Sequence, residues 1–213
     1  MKKDKKTWNE FYKRELTLEG FLRDLSTHGR LFDEIISENP ESILEVGTGS
    51  GKMSIFLSLM GYSVTGIDNN PELIKRAKVN CKKFNGKASF RLVDAFSLSE
   101  TFNSHSFDLV FSQGFFEHFS NEEISKLIEQ QLTVGNVVVF SVPSKYHFKG
   151  FGNERLLTLY QWREILEKYN VERIYYYGEE LGIIRFFKNL VRYPQPPFKK
   201  PQHILIKIKG GQK

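Results

Sequence analysis

Residues Glu45-Val46-Gly47-Thr48-Gly49-Ser50-Gly51-Lys52 place an acid ahead of three glycines at alternate positions, with a lysine behind them. Glycines spaced in this way let backbone approach a ligand without side chains in between. A nucleotide phosphate is one ligand for such a turn, but two phosphate-binding forms fail here. In a P-loop, G-x-x-x-x-G-K-[ST], the first glycine would fall at Val46 and the Mg²⁺-binding hydroxyl at Met53, and neither residue can serve. In the dinucleotide turn, G-x-G-x-x-G, the third glycine would fall at Lys52. Glu45 also adds negative charge where a helix N-terminus favours anions, so the ligand's nearest group is expected to be cationic.

Further polar residues follow other apolar runs. Asp68-Asn69 closes "VTGIDN", Asp94-Ala95 follows "FRLV", and Ser112-Gln113-Gly114 follows "DLVF", with Phe115, Glu117 and His118 just beyond. Histidine titrates near neutrality. His118, with Glu117 beside it, is the candidate general base. Tyr146 and His147 are candidate substrate contacts, while His28, His105 and His203 are expected to pack or face solvent. The His, Cys and carboxylate spacings match no familiar metal site, so no metal is expected.

These residues need elements to carry them. From Ile43 onward, short β-rich apolar runs alternate with helical patterns, which predicts β-α-β units and a mostly parallel sheet. Seven strands are expected at 42–46, 63–67, 89–93, 107–111, 136–141, 171–177 and 203–209. Helix starts are marked by Asn70-Pro71 and by capping boxes at Ser120/Glu123 and Thr158/Gln161, and a helix end by Gly86. Residues 1–35 are expected as an N-terminal helical cap on a domain spanning 36–213. Within that domain, 143–157 and 178–202 are the expected substrate-cap loops.

The chain is similar to class I, Rossmann-like S-adenosylmethionine-dependent methyltransferases. Glu45-Val46-Gly47-Thr48-Gly49-Ser50-Gly51 matches their first motif, [DE]-x-G-x-G-x-G, and the later strand ends resemble the next three motifs in order. The resemblance is specific over about 40–142 and looser over 157–209. It implies an α/β fold, doubly wound, with a mostly parallel seven-stranded sheet, helices on both faces and an antiparallel final strand pair. It implies S-adenosylmethionine as cofactor and S-adenosylhomocysteine as product. Glu45, Val46, Gly47, Thr48, Gly49 and Gly51 would hold the methionyl part, Asp68 and Asn69 the ribose and adenine, Asp94 and Ala95 the adenine, and Ser112, Gln113 and Gly114 the floor beneath the sulfonium. Ser112-Gln113-Gly114-Phe115 departs from the [DNS]-P-P-[YF] of methyltransferases that act on planar amino groups. Trp8, Tyr12 and Phe115, with Phe116 and Phe119, could cap a small, partly apolar acceptor.

Composition is compatible with this reading. The 213 residues suit one domain, and 40% hydrophobic with 26% charged residues is ordinary for a globular protein. The single cysteine, Cys81, rules out an internal disulfide and fits a cytoplasmic setting. No apolar run is long enough for a membrane span. The net charge of +6 resides at the ends: residues 1–6 carry +3 and residues 199–213 carry +5, leaving −2 elsewhere. Solubilising tails are therefore expected rather than a nucleic-acid groove. The expected protein is a monomeric or homodimeric methyltransferase with a small-molecule acceptor. An RNA or protein methyltransferase docking through its Lys-rich ends, and a cofactor-binding subunit without turnover, remain open alternatives.

Overall fold

The computed structural model describes residues 8–12, 15–147, 153–178 and 201–210, the side chain of residue 9 excepted. The apolar runs form strands β1 (Ser42–Val46), β2 (Ser63–Asp68), β3 (Ser89–Leu92), β4 (Phe107–Gln113), β5 (Gly135–Pro143), β6 (Val171–Tyr177) and β7 (His203–Lys209). They join in one seven-stranded sheet, in the order β3-β2-β1-β4-β5-β7-β6. Strands β1 to β5 run parallel, and β7 is antiparallel to both β5 and β6. Successive connections step outward from β1 through β2 to β3, and the chain then returns to β4 on the other side of β1. Such a reversal opens a crevice at the carboxyl ends of the strands, where ligands of open α/β sheets bind.

Neighbouring residues on a strand point to opposite faces, and both faces of this sheet are apolar. Ile43, Leu109, Val137 and Val139 pack on one side with Leu31, Phe32 and Ile35 of α2 (Leu18–Ser37) and with Met53 and Leu57 of α3 (Lys52–Leu59). Leu44, Val110, Val138 and Phe140 pack on the other with Ile124, Leu127 and Ile128 of α6 (Asn121–Val134) and with Trp162 of α7 (Leu159–Ile165). Full burial of each such aliphatic side chain contributes roughly 1.5–3 kcal/mol. At the β3 edge, Ile74, Ala77 and Cys81 of α4 (Pro71–Lys83) meet Phe90 and Phe21. Two short helices, α1 (Trp8–Phe11) and α5 (Leu98–Thr101), complete the set described.

In the N-terminal helical segment α2 spans Leu18–Ser37 with a kink at His28 (φ −110°, ψ 20°), and it buries Leu31 and Ile35 completely beneath the sheet. Two sequence expectations need correction. Gly86 is not the left-handed residue after α4; Asn85 takes that conformation at φ +54°, and Gly86 is instead where Ile55 and Cys81 approach closely. The C-terminal lysines are not simply a solubilising tail. Lys207 is 2% exposed and pairs with Glu38, with Glu34 at 3.6 Å and with Glu172 at 3.3 Å, while Lys209 meets Glu172 at 3.2 Å. Most of the expected cap loop 178–202, and residues 148–152 of the other, lie outside the described residues.

Candidate functional site

The turn after β1 takes its shape from its glycines. Gly47, Gly49 and Gly51 lie at φ +72°, +54° and +80°, a region costly for residues with a Cβ. Space is as restrictive as torsion. A Cβ on Gly47 would meet the Phe115 ring at 2.7 Å, and one on Gly49 would meet Tyr12 Cζ at 2.4 Å. The glycines therefore let two aromatic side chains come down onto bare backbone.

Glu45 holds this turn to α3. Its Oε2 accepts from the Thr48 hydroxyl at 2.6 Å, from the Ser54 N–H at 3.0 Å and from the Ser54 hydroxyl at 2.5 Å. Burial pushes its carboxyl up to about 7 against the opposing effect of those hydrogen bonds. Any contact of Glu45 with a bound cation is thus made by a carboxylate already engaged below the turn. Val46 is wholly in the core, and Thr48 is anchored by its N–H to the Ile67 carbonyl at 2.9 Å.

Asp68 ends β2 and joins the turn from the side. Its Oδ2 accepts from the Gly49 N–H at 3.0 Å and its Oδ1 from the Asn70 N–H at 2.9 Å. Each oxygen keeps a second acceptor position, which suits a pair of vicinal hydroxyls. Burial raises the carboxyl above its ordinary value, with the backbone donors opposing it. Asp94 follows β3 and caps the short 3₁₀ turn Ala95–Ser97 by accepting from the Phe96 N–H at 2.9 Å.

These tips enclose a cleft of about 210 Å³. Gly47, Asp68, Asn69, Asp94, Ala95 and Gly114 border it, and so do Trp8, Tyr12, Phe115 and His118. Apolar walls come from Ile67, Leu73, Val93, Phe96 and Phe119. Except for Phe119, that apolar part was not anticipated. In the sequence these residues are indistinguishable from other core positions, and only their place at strand ends around the crevice sets them apart. An acid with spare acceptor capacity beside an apolar slot fits the ribose and base of a nucleoside, and an amino-acid part can reach the turn only where Tyr12 and Phe115 now cover it.

Other expected site residues lie elsewhere. Ser112 is 1% exposed, with a buried hydroxyl that lacks a hydrogen-bond partner, and sits beneath the cleft rather than on it. Gln113 pairs in register with Ser141 on β5 and does not border the cleft. Phe116 is no cap residue, being fully buried against Phe140 with ring centroids 4.4 Å apart. Tyr146 packs on Tyr176 and His147 on His203, at 5.9 and 5.5 Å, away from this cleft. His203 and His28 are indeed buried, but as a cluster: the His28 and His203 rings lie 4.9 Å apart, and His28 Nδ1 is 3.0 Å from the Tyr177 hydroxyl.

At the far end of the cleft His118 stands edge-on to Trp8, with ring centroids 5.0 Å apart. Its Nε2 is 3.8 Å from Glu117 Oε1, and its Nδ1 is 3.1 Å from Asn153 Oδ1. Burial pulls the imidazole below its ordinary pKa, and burial pushes Glu117 up to about 8.

Comparison with known proteins agrees with this geometry. Residues 43–134, which carry β1 to α6, match the methyltransferase domain family. That segment, which is less than half of the chain, is the part that the methyltransferase domain match covers. The chain is 30% identical over 175 residues to phosphoethanolamine N-methyltransferase 1 of Zea mays, covering 76% of this chain and 34% of that protein. The chain spans about a third of the length of the curated relatives it matches. In fold, the chain is similar to a protein of Pyrococcus horikoshii OT3, with a TM-score of 0.69 at 14% identity, covering 95% of this chain and 99% of that one. It is similar too to magnesium protoporphyrin IX methyltransferase of Synechocystis PCC 6803 with bound S-adenosylmethionine, with a TM-score of 0.62 at 14% identity, covering 96% and 89%. The glycine turn and the acids Glu45, Asp68 and Asp94 all lie within the matched range 43–134.

Proposed function

We propose that this chain transfers the methyl group of S-adenosylmethionine to a small-molecule acceptor. The observation that carries the reading is the convergence of Gly47, Asp68 and Asp94 on one cleft at the point where the strand order reverses. In this reading Asp68 accepts from the ribose hydroxyls, Asp94 and the Ala95 N–H meet the adenine edge, and Ile67, Leu73, Val93 and Phe96 sandwich the base. The turn meets the methionyl part, with the Glu45 carboxylate beneath it. The cofactor supplies a carbon already activated by its sulfonium. What remains for the protein is to hold an acceptor in line with that carbon and exclude water.

The acceptor's end of the cleft is taken to be that of Trp8, Tyr12, Phe115 and His118, where the His118 ring packs edge-on against Trp8. Such walls favour a small acceptor with apolar surface. The maize relative carries the name of an enzyme acting on a small molecule, which supports the same choice. His118, with Glu117 behind it, belongs to this end and helps to position the acceptor. The engagement of Lys207 and Lys209 by Glu38, Glu34 and Glu172 leaves less free charge for docking on RNA.

The test is calorimetric titration with S-adenosylmethionine and S-adenosylhomocysteine, with NAD and ATP as controls, followed by an acceptor screen that detects the S-adenosylhomocysteine released. Binding of the first two alone, with turnover of a small amine, alcohol or thiol, is expected. Absence of binding would overturn the reading, and binding without turnover on any acceptor would leave a cofactor-binding subunit.

A further inference from the structure

Three side chains beside the cleft present acceptors to one another. One oxygen each from Glu117 and Glu154 and one ring nitrogen of His118 all lie within 4.8 Å of each other. The asparagine next to Glu154 defines which imidazole nitrogen carries the proton. Asn153 Nδ2 donates to the His118 carbonyl at 3.2 Å, so its Oδ1 faces the ring and accepts from His118 Nδ1–H at 3.1 Å. The neutral imidazole then turns an unprotonated Nε2 towards Glu117 Oε1, 3.8 Å away. That separation is too long for a hydrogen bond. Glu117 is 2% exposed, and its Oε2 is buried without a hydrogen-bond partner, as is Glu154 Oε2. A buried carboxylate oxygen with no donor is costly unless something positive meets it.

The segment bearing Glu154 is fastened to the segment bearing His118. The Arg155 N–H donates to the Glu117 carbonyl at 2.8 Å, and its guanidinium donates to the Phe119 carbonyl and, at 2.6 Å, to Asn121 Oδ1. The three acceptors are therefore held together by bonds that do not involve them.

We propose that Glu117, His118 and Glu154 form a binding site for a first-row divalent cation. Two carboxylates and one imidazole are a mixed oxygen and nitrogen set of the kind that takes Mn²⁺ or Zn²⁺, and they balance the charge of the ion. Bonds of about 2.1 Å put neighbouring ligand atoms roughly 3 to 3.5 Å apart, so these side chains need to close by at most roughly 1.3 to 1.8 Å. The Asn153 contact supplies the outer partner that a metal-bound histidine uses to set its tautomer. Glu117 Oε1 lies 3.4 Å from where a Cβ on Gly114 would be, and both Gly114 and His118 border the cleft. An open coordination position would face the acceptor end and favour an acceptor bound through oxygen. That last point rests on the methyl-transfer reading, whereas cation binding does not.

The experiment is titration of the full chain, freed of metal by a chelator, with Mn²⁺ and separately with Zn²⁺, followed by calorimetry and, for Mn²⁺, by electron paramagnetic resonance. One ion per chain is expected, with micromolar affinity for at least one of the two. Glu117→Gln and Glu154→Gln should each weaken it tenfold or more, and Trp8 fluorescence should be quenched by Mn²⁺ in wild type but not in Glu154→Gln. Thermal melting of each variant is recorded; if Glu117→Gln does not fold, the less buried Glu154→Gln decides. No stoichiometric binding of either ion, or binding unchanged in the folded variants, would overturn the site. S-adenosylhomocysteine is titrated alongside into the metal-free protein, so that loss of the cation site and loss of the methyltransferase reading give different results.

Discussion

The Asp68 carboxylate accepts from the Gly49 N–H at 3.0 Å, tying the end of β2 to the glycine turn that follows β1. One side chain thus shapes the turn and presents acceptor positions to the cleft. Asp68→Ala is expected to weaken S-adenosylhomocysteine binding by roughly 1–3 kcal/mol, the cost of stranding hydrogen-bonded hydroxyls. Calorimetry on the folded variant checks it, and an unchanged affinity would remove Asp68 from the ribose.

His118 should matter to turnover and not to cofactor affinity, because its ring is engaged by Trp8 and Asn153 rather than by Asp68 or Asp94. His118→Ala is expected to lower methyl transfer about 10²-fold or more. Affinity for S-adenosylhomocysteine should stay within about twofold. A parallel loss of both would mean that the imidazole supports the fold of the cleft instead.

Gly51 is constrained twice, by φ +80° and by Phe90 and Ala77, which would lie 2.8 and 2.9 Å from an added Cβ. Gly51→Ala should cost about 2 kcal/mol or more in urea denaturation, from backbone strain and overpacking together. A cost below about 0.5 kcal/mol would show that the turn relaxes freely, contrary to what a close-packed interior allows.

Two opposite slopes are expected in the pH dependence of stability. Burial holds His28 near 4 and His203 near 3, below the ordinary 6.5, with Asp24, Lys52 and His147 as the charged or titratable neighbours that modulate them. Both stay neutral in the native state while the unfolded chain takes up protons, so their stabilisation, present above about pH 6.5, is lost as pH falls towards 4. Glu45, raised to about 7 from 4.5, acts the other way: the native state holds the extra proton, and stability falls as pH rises from about 4.5 to 7. Melting profiles between pH 4 and 7.5 should therefore show a shallower acid-side loss in His203→Gln and a steeper one in Glu45→Gln. Parallel profiles for wild type and both variants would contradict these shifts.

Much of the scaffold was legible along the chain. Strands fully covered by helices must be apolar throughout, so "ILEV", "DLVF" and "VVVF" stood out, and the capping boxes at Ser120 and Thr158 form as their spacing required. Strand ends were less so: β4 and β5 each run two residues past the expected stop, because Ser112-Gln113 pair with Phe140-Ser141 despite their polarity and Val142-Pro143 pair with Ile204-His203. Hydrophobicity marks burial, and ladder hydrogen bonds do not depend on it.

The acids and glycines of the candidate site could also be read directly, since a positive φ or an exposed acceptor requires particular residue types at particular spacings. Sequence alone thus determined the order of strands and helices, the glycine turn and the acids at the ends of β1, β2 and β3. Its family resemblance followed from those features. The tertiary structure decided what those features face. Whether Ser112 or Phe119 reaches the cleft depends on which side of a strand end it leaves, and the clustering of His28 with His203 depends on a helix crossing a sheet. Glu154 joins Glu117 and His118 only because the segment after β5 folds back onto the one after β4, a contact between residues 37 positions apart that leaves no local periodicity to read.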